Sequence, residues 1–175
     1  MSTTTPATLP TTGTWNIDSV HSSANFSLKH NIVATFRARF LGVTGKLEDG
    51  ALSGSVPVES LELAIPVFKE HVVGEGFLDS ANHPNLTFRS SDVHAHDDGT
   101  VHVDGEITIR GVTKPISASG RVSGPVEVTR PDGTEIEVVG LDLTATVDRR
   151  DFGLEIYAGA GWEVTIEVDL QLVKA

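Results

Sequence analysis

The sequence predicts an all-β protein: one extended antiparallel up-and-down barrel of about eight strands, with a single short helix or lid segment. Three observations predict it. Apolar and polar residues alternate with a period of two over most of the chain, which marks strands buried on one side only. The alternating runs are separated by short Gly, Pro and Asp turns, so neighbouring strands run antiparallel. Many of the inward positions carry glycine or alanine, among them Ala24, Ala38, Gly54, Gly105, Ala118, Gly120, Gly124 and Ala145.

The clearest stretch is Gly105–Val122. Val103, Gly105, Ile107 and Ile109 share one face, and Ile116, Ala118, Gly120 and Val122 resume it after a reversal over Gly111–Pro115. Taken in order, residues 1–13 form a Thr/Pro-rich stretch expected to be a disordered tail, and residues 14–175 a single domain. Order begins at Trp15. Ala24, Phe26 and Leu28 alternate with Asn25, Ser27 and Lys29, and parity carries His30 to the buried side. Phe36, Ala38 and Phe40 give the next strand. Glu48-Asp49-Gly50 is a turn, and Leu52, Gly54, Val56 and Val58 follow it. Pro57 falls on the other face, which suits an edge or a bulge.

Residues 60–84 break the rhythm, and Lys69–Asp79 suits a short helix or a lid-like loop. Leu86 and Phe88 restart a strand that slips by one residue near Ser91. A three-residue loop at Asp97-Asp98-Gly99 places Val93 opposite Val103 and His94 opposite His102. Val126 and Val128 run to a turn at Pro131-Asp132-Gly133, and Gly140 marks a change of parity before Leu141, Leu143, Ala145 and Val147. Asp148–Gly153 is a charged corner. Trp162, Val164, Ile166, Val168, Leu170 and Leu172 close the chain.

Composition excludes several functions. Thirteen Lys and Arg against 24 Asp and Glu give a formal net charge of −11, which repels nucleic acid and anionic lipid headgroups and disfavours polybasic membrane docking or stable membrane insertion. With no cysteine there is neither disulfide nor thiol chemistry. The N-terminus has no basic region followed by an apolar run, so no signal peptide is expected and the protein is expected in the cytoplasm.

Candidate chemistry is sparse. His94, His96 and His102 form the one metal-like cluster, but all three point outward in the hairpin register, as a solvated hairpin face would, and no metal is expected. Asp18, His21, Ser22 and His30 are close in sequence and suggest a hydrolytic triad. There is no G-x-S-x-G elbow, however, and successive strand residues alternate faces, so no catalytic residue is assigned. The small inward residues leave two readings open. Either they create a cavity walled by Phe, Leu, Ile and Val, or bulky residues opposite fill the space.

Four motifs together carry a resemblance. They are W-N-I-D-S-V-H-S-S-A-N-F-S-L-K-H from Trp15, F-L-D-S-A-N-H-P-N-L-T-F at 77–88, G-E-I-T-I-R-G-V-T-K-P-I at 105–116 and R-R-D-F-G at 149–153. In this order they resemble the YceI-like family, lipocalin-like barrels known as polyisoprenoid-binding proteins. The resemblance spans Trp15 to Lys174. It implies binding of an isoprenoid-type lipid, a polyprenyl chain or a quinone, in the barrel interior, without enzymatic activity and with no cofactor beyond that ligand. Many members have an H-L-R-S-like run where this chain has His71-Val72-Val73-Gly74.

The positions expected to meet such a ligand are Phe26, Leu28, His30, Phe36, Phe40, Phe77, Leu78, Phe88, Ile107, Ile109, Ala118, Gly120, Phe152, Trp162, Val164 and Ile166. The segment Pro66–Pro84 is expected to cap one mouth, either as a lid or as a fixed plug. A homodimer is compatible with the sequence. The competing class is a stress-response or protein-interaction module with a filled barrel.

Overall fold

The structure, a computed structural model, describes residues 7–175. Its strands are β1 (Thr14–Ile17), β2 (Ser23–His30), β3 (Ala34–Phe40), β4 (Thr44–Glu48), β5 (Ala51–Pro57), β6 (Leu61–Glu62), β7 (Asn85–Ala95), β8 (Thr100–Ile109), β9 (Val112–Thr129), β10 (Glu135–Asp148) and β11 (Glu163–Lys174). The helix α1 (Pro66–Val73) lies between β6 and β7, and short 3-10 turns occupy Val58–Ser60 and Arg149–Phe152.

All pairings between strands are antiparallel, in the order β1-β4-β5-β7-β8-β9-β10-β11, and β1 pairs back onto β11 to close an eight-stranded barrel. The expected all-β barrel is therefore present. It is not a simple meander, because the β2–β3 hairpin is inserted between β1 and β4. β1 occupies the Leu172–Lys174 end of β11, and β2 takes the same edge lower down, over Thr165–Asp169. β3 then pairs with β6.

Two hairpins turn through two residues with positive φ, Asp49-Gly50 (48° and 85°) and Arg110-Gly111 (49° and 73°). That conformation matches the right-handed twist of the flanking strands. The reversal expected over Gly111–Pro115 is thus tighter: Val112 already pairs with Ile109, and Pro115 sits within β9 opposite Glu106. The register of β7 on β8 is as expected, with Val93 opposite Val103, His94 opposite His102 and a slip between Ser90 and Asp92. A second slip falls between Val138 and Gly140, at the expected change of parity.

The core has two parts. Leu9, Trp15, Leu47, Leu141 and Leu172 are among the residues that pack one end of the barrel. Phe40, Val58, Leu61, Val72, Val73, Leu78, Phe152 and Leu154 are among those that pack the other, under α1. Leu9 corrects the expectation of a disordered tail over 1–13. It is buried in the first cluster, the Thr8 N–H donates to the Gly124 carbonyl at 2.9 Å, the Asp49 N–H donates to the Gly13 carbonyl at 2.9 Å, and the Gly13 N–H donates to the Asp49 carboxylate at 2.8 Å. A single leucine supplies apolar surface enough to hold the segment once a groove exists to receive it. Residues 1–6 of the expected tail lie outside the described residues.

Candidate ligand-binding site

Between the two core clusters lies a cavity of about 220 Å³. Its wall is apolar along its length because period-two strands from both sides of the barrel turn the same parity inward. Phe26 and Leu28 of β2, Phe40 of β3, Phe88 of β7, Ile107 and Ile109 of β8, Ala118 of β9, and Val164 and Ile166 of β11 all line it. Phe77 and Leu78, from the turn after α1, and Phe152 close the α1 end. Val72, inside the H-V-V-G run, also lines it. The polar residues in the wall are Asn25, Ser53, Ser55, Thr87 and Arg149.

Four expected wall residues are elsewhere. His30 is exposed, because β2 runs past the barrel rim and His30 pairs there with Ala34 and bridges to Ala160. Phe36, on the same projecting hairpin, stacks at the rim between Phe26 (6.2 Å between ring centres) and Phe68 of α1 (5.7 Å). Trp162 precedes the first residue of β11, so strand parity does not govern it. It is 38% exposed, with the Arg149 guanidinium 4.3 Å from its ring centre and that of Arg150 at 5.0 Å. Gly120 is small for a different reason: a Cβ there would lie 1.7 Å from the Asp142 carbonyl oxygen, so its smallness lets β9 approach β10. Gly105 behaves likewise, since a Cβ would meet the Phe88 ring at 2.8 Å. The small inward residues thus divide. Ala24, Ala118 and Ala145 border the cavity, whereas Gly105 and Gly120 are covered by neighbours.

Arg149 went unread in the sequence. Its side chain is buried, and its guanidinium donates to five backbone carbonyls: Leu154, Ile156 (2.7 Å), Tyr157 (3.1 Å), Ala160 (2.9 Å) and Gly161 (2.9 Å). All five donors of the fork are used. Burial pulls its pKa below the ordinary value, and Asp148 works against that shift. Among the described residues no carboxylate forms an ion pair with it. It therefore acts as a clamp on the loop 153–162, which covers the cavity beside α1, and not as a free charge for a ligand. The only sequence signal is the R-R-D-F-G motif itself, because backbone carbonyl partners leave no residue signature.

Asp148 precedes this clamp. The Arg150 guanidinium and then the Arg150 backbone N–H, which donates to its carboxylate, hold its pKa down at about 2 from an ordinary 3.8. A carboxyl with a lowered folded pKa stabilises the fold fully above its ordinary value and loses that contribution as pH falls toward the folded one. Asp148→Asn is therefore expected to flatten the melting-temperature profile between pH 3.8 and about 2. An acid limb as steep as that of the unmodified protein would refute the assignment.

The remaining candidates do not assemble. His94 and His96 stack edge to face at 4.6 Å, while His102 contacts Ser119 (3.1 Å) and Asp104 (3.2 Å). Among the described residues no group of three or more His, Cys, Asp or Glu could hold a metal ion. Asp18 and His21 are 2.8 Å apart, but the Ser22 hydroxyl accepts the Gln171 N–H at 3.0 Å, and His30 is at the far end of β2. No described helix is long and apolar enough to cross a membrane.

Comparison with known proteins points one way. The profile of the family described as YceI-like domain matches residues 15–172. A UPF0312 protein of Pseudomonas putida is 27% identical over 153 residues, covering 87% of this chain and 78% of the relative. A UPF0312 protein of Vibrio cholerae is 25% identical over 161 residues, covering 88% and 82%. Among solved structures, BcnA of Burkholderia cenocepacia superposes with a TM-score of 0.73 at 18% identity, covering 91% of this chain and 99% of that one. A structure described as a polyisoprenoid binding domain from Saccharophagus degradans, implicated in plant cell wall breakdown, gives a TM-score of 0.72 at 15% identity, covering 92% and 98%.

Proposed function

The chain belongs to the YceI-like family, and from that membership and the apolar interior of its barrel we propose that it binds an isoprenoid-type lipid, a polyprenyl chain or a quinone, for storage or transport and without catalysing a reaction. The observation that carries this reading is the cavity between the two core clusters, walled almost wholly by Phe, Leu, Ile, Val and Ala side chains. Such a wall offers nothing to polarise a bond and few groups to orient a polar substrate. It favours a ligand whose affinity grows with buried methylenes, at about 0.8 kcal/mol each.

Its volume, about 220 Å³, is below the roughly 300–1,000 Å³ usual for pockets that enclose a small molecule. A long chain therefore enters by displacing the cap formed by α1 and the turn that follows it. Val72 and Leu78 are held there by packing and by the Leu78 N–H donating to the Val72 carbonyl at 3.0 Å.

Organic extraction of the purified protein, analysed by mass spectrometry before and after incubation with a polyprenol and with a quinone, tests the reading. Recovery of an isoprenoid in near-stoichiometric amount is the expected result. A protein that carries no isoprenoid in either state would overturn it.

A further inference from the structure

The hairpin between β2 and β3 has a tip that folding does not account for. Ile32 and Val33 are 90% and 84% exposed, more so than any other large apolar residue described. Ile32 also has φ of 70°, in the left-handed region that β-branched residues rarely adopt. A polar residue or glycine would suit both the exposure and the backbone better. An outlier of this kind points to a role outside the folded monomer.

The tip is not isolated. The Asn31 N–H donates to the Gly159 carbonyl at 2.7 Å, joining it to the loop clamped by Arg149. On that loop Tyr157 packs against Phe68 of α1 (6.2 Å) and Phe77 (5.5 Å). Ile65, Val67 and Ile156 are exposed on the same elements. One end of the barrel, where Phe77 and Leu78 reach the cavity, is thus rimmed with exposed apolar side chains.

The charge of the hairpin itself is the reverse of the chain's. Residues 19–47, which contain the hairpin, hold Lys29, Arg37, Arg39 and Lys46 and no Asp or Glu, in a protein with 24 acids. Arg39 is paired with Glu62, and Lys46, on β4, with Glu48; among the described residues the hairpin's cations without a carboxylate partner are Arg37 and Lys29, which donates to Thr35. On the neighbouring elements Lys69 stands beside Glu70, and the loop contributes Glu155. A net charge of −11 opposes approach to an anionic surface as a whole. At physiological salt, however, charges beyond about 8 Å are largely screened, so the cations nearest the tip, Lys29 and then Arg37, decide the local interaction.

We infer that this end of the barrel docks reversibly on an anionic lipid bilayer, with Ile32 and Val33 in the headgroup boundary and Lys29 and Arg37 toward the lipid phosphates. The inference rests on the reading of the cavity as a lipid site, and it supplies the surface from which an apolar ligand enters without crossing water. Apolar side chains with flanking cations are the combination that binds a membrane interface.

Flotation with phosphatidylcholine vesicles, with and without an equal part of phosphatidylglycerol, tests it on the full chain. The protein is expected to float with the mixed vesicles and less with phosphatidylcholine alone. I32G/V33S, which removes the strained isoleucine and two exposed side chains, is expected to melt no lower and to lose vesicle affinity by roughly tenfold or more. V20S, at an equally exposed site at the opposite end of β2, is expected to float unchanged. I32G/V33S is also expected to take up a polyprenol from detergent as the unmodified protein does, since neither residue lines the cavity; loss of uptake by the unmodified protein would fault the lipid reading alone. The docking inference fails if the unmodified protein floats with neither vesicle, if I32G/V33S floats as it does, or if V20S loses as much. It fails too if sedimentation shows a dimer that I32G/V33S splits, because a second copy would then cover the tip.

Discussion

Arg149→Met is expected to lower the stability of the protein by roughly 3–5 kcal/mol, the range seen when a buried charged group loses its role and its partners are left unpaired. Methionine fills much of the same volume, so packing alone predicts a small change. The difference lies in the carbonyls of Leu154, Ile156, Tyr157, Ala160 and Gly161, which lose a common donor at once. Each net bond to a charged donor contributes about 1.5–3 kcal/mol, but parts of the loop can turn toward water, and the sum is accordingly less than five such bonds. For a domain of this size the melting temperature should fall by roughly 6–20 °C. Arg149→Lys should rescue only part of the loss, since an ammonium has three donors on one atom and cannot span the loop as the fork does. A melting temperature for Arg149→Met within about 2 °C of the unmodified protein would show that the loop holds itself.

Ala118→Leu should leave the protein folded and weaken isoprenoid binding by about fiftyfold. Ala118 borders the cavity, so the added atoms enter empty space and not a packed core. They occupy room for about three methylenes of ligand, at about 0.8 kcal/mol each. Binding measured by competition with a fluorescent isoprenoid, beside a melting curve, separates the two effects. Undiminished binding by a folded Ala118→Leu protein would place the ligand outside the barrel. The neighbouring Gly120 gives no such test, because a Cβ within 1.7 Å of the Asp142 carbonyl oxygen forces β9 from β10.

That contrast shows how far the sequence could be read. Period-two alternation finds which residues face inward wherever a strand is inside the ring, and Phe88, Ile107, Ile109 and Ile166 line the cavity for that reason. It fails where a strand leaves the ring. His30 and Phe36 keep their parity on a hairpin that projects past the rim, where inward no longer means into the barrel. Trp162 fails by one residue, because β11 begins at Glu163. Parity also cannot say why an inward residue is small. Ala118 and Gly120 read alike in the sequence, but one borders empty space and the other a backbone oxygen. Arg149 was hidden because all of its hydrogen-bond acceptors are main-chain carbonyls, and the charged corner D-R-R-D reads as solvated.

The closing pair of the barrel sets the timing of the protein's first use. Trp15 pairs with Lys174, and the Ala175 N–H reaches the Thr14 carbonyl at 2.9 Å. The ring thus joins the first strand to the last. Contacts of such long sequence separation form late, and here they cannot form on the ribosome until the whole of Glu163–Lys174 has emerged. Until then β1 and β10 are open edges, and the interior is a curved, wet sheet with no enclosed space. The compartment for an apolar ligand does not exist in the growing chain. On the proposed lipid-binding reading, loading is therefore a step that follows synthesis, and the supply of ligand and the supply of protein can be controlled separately.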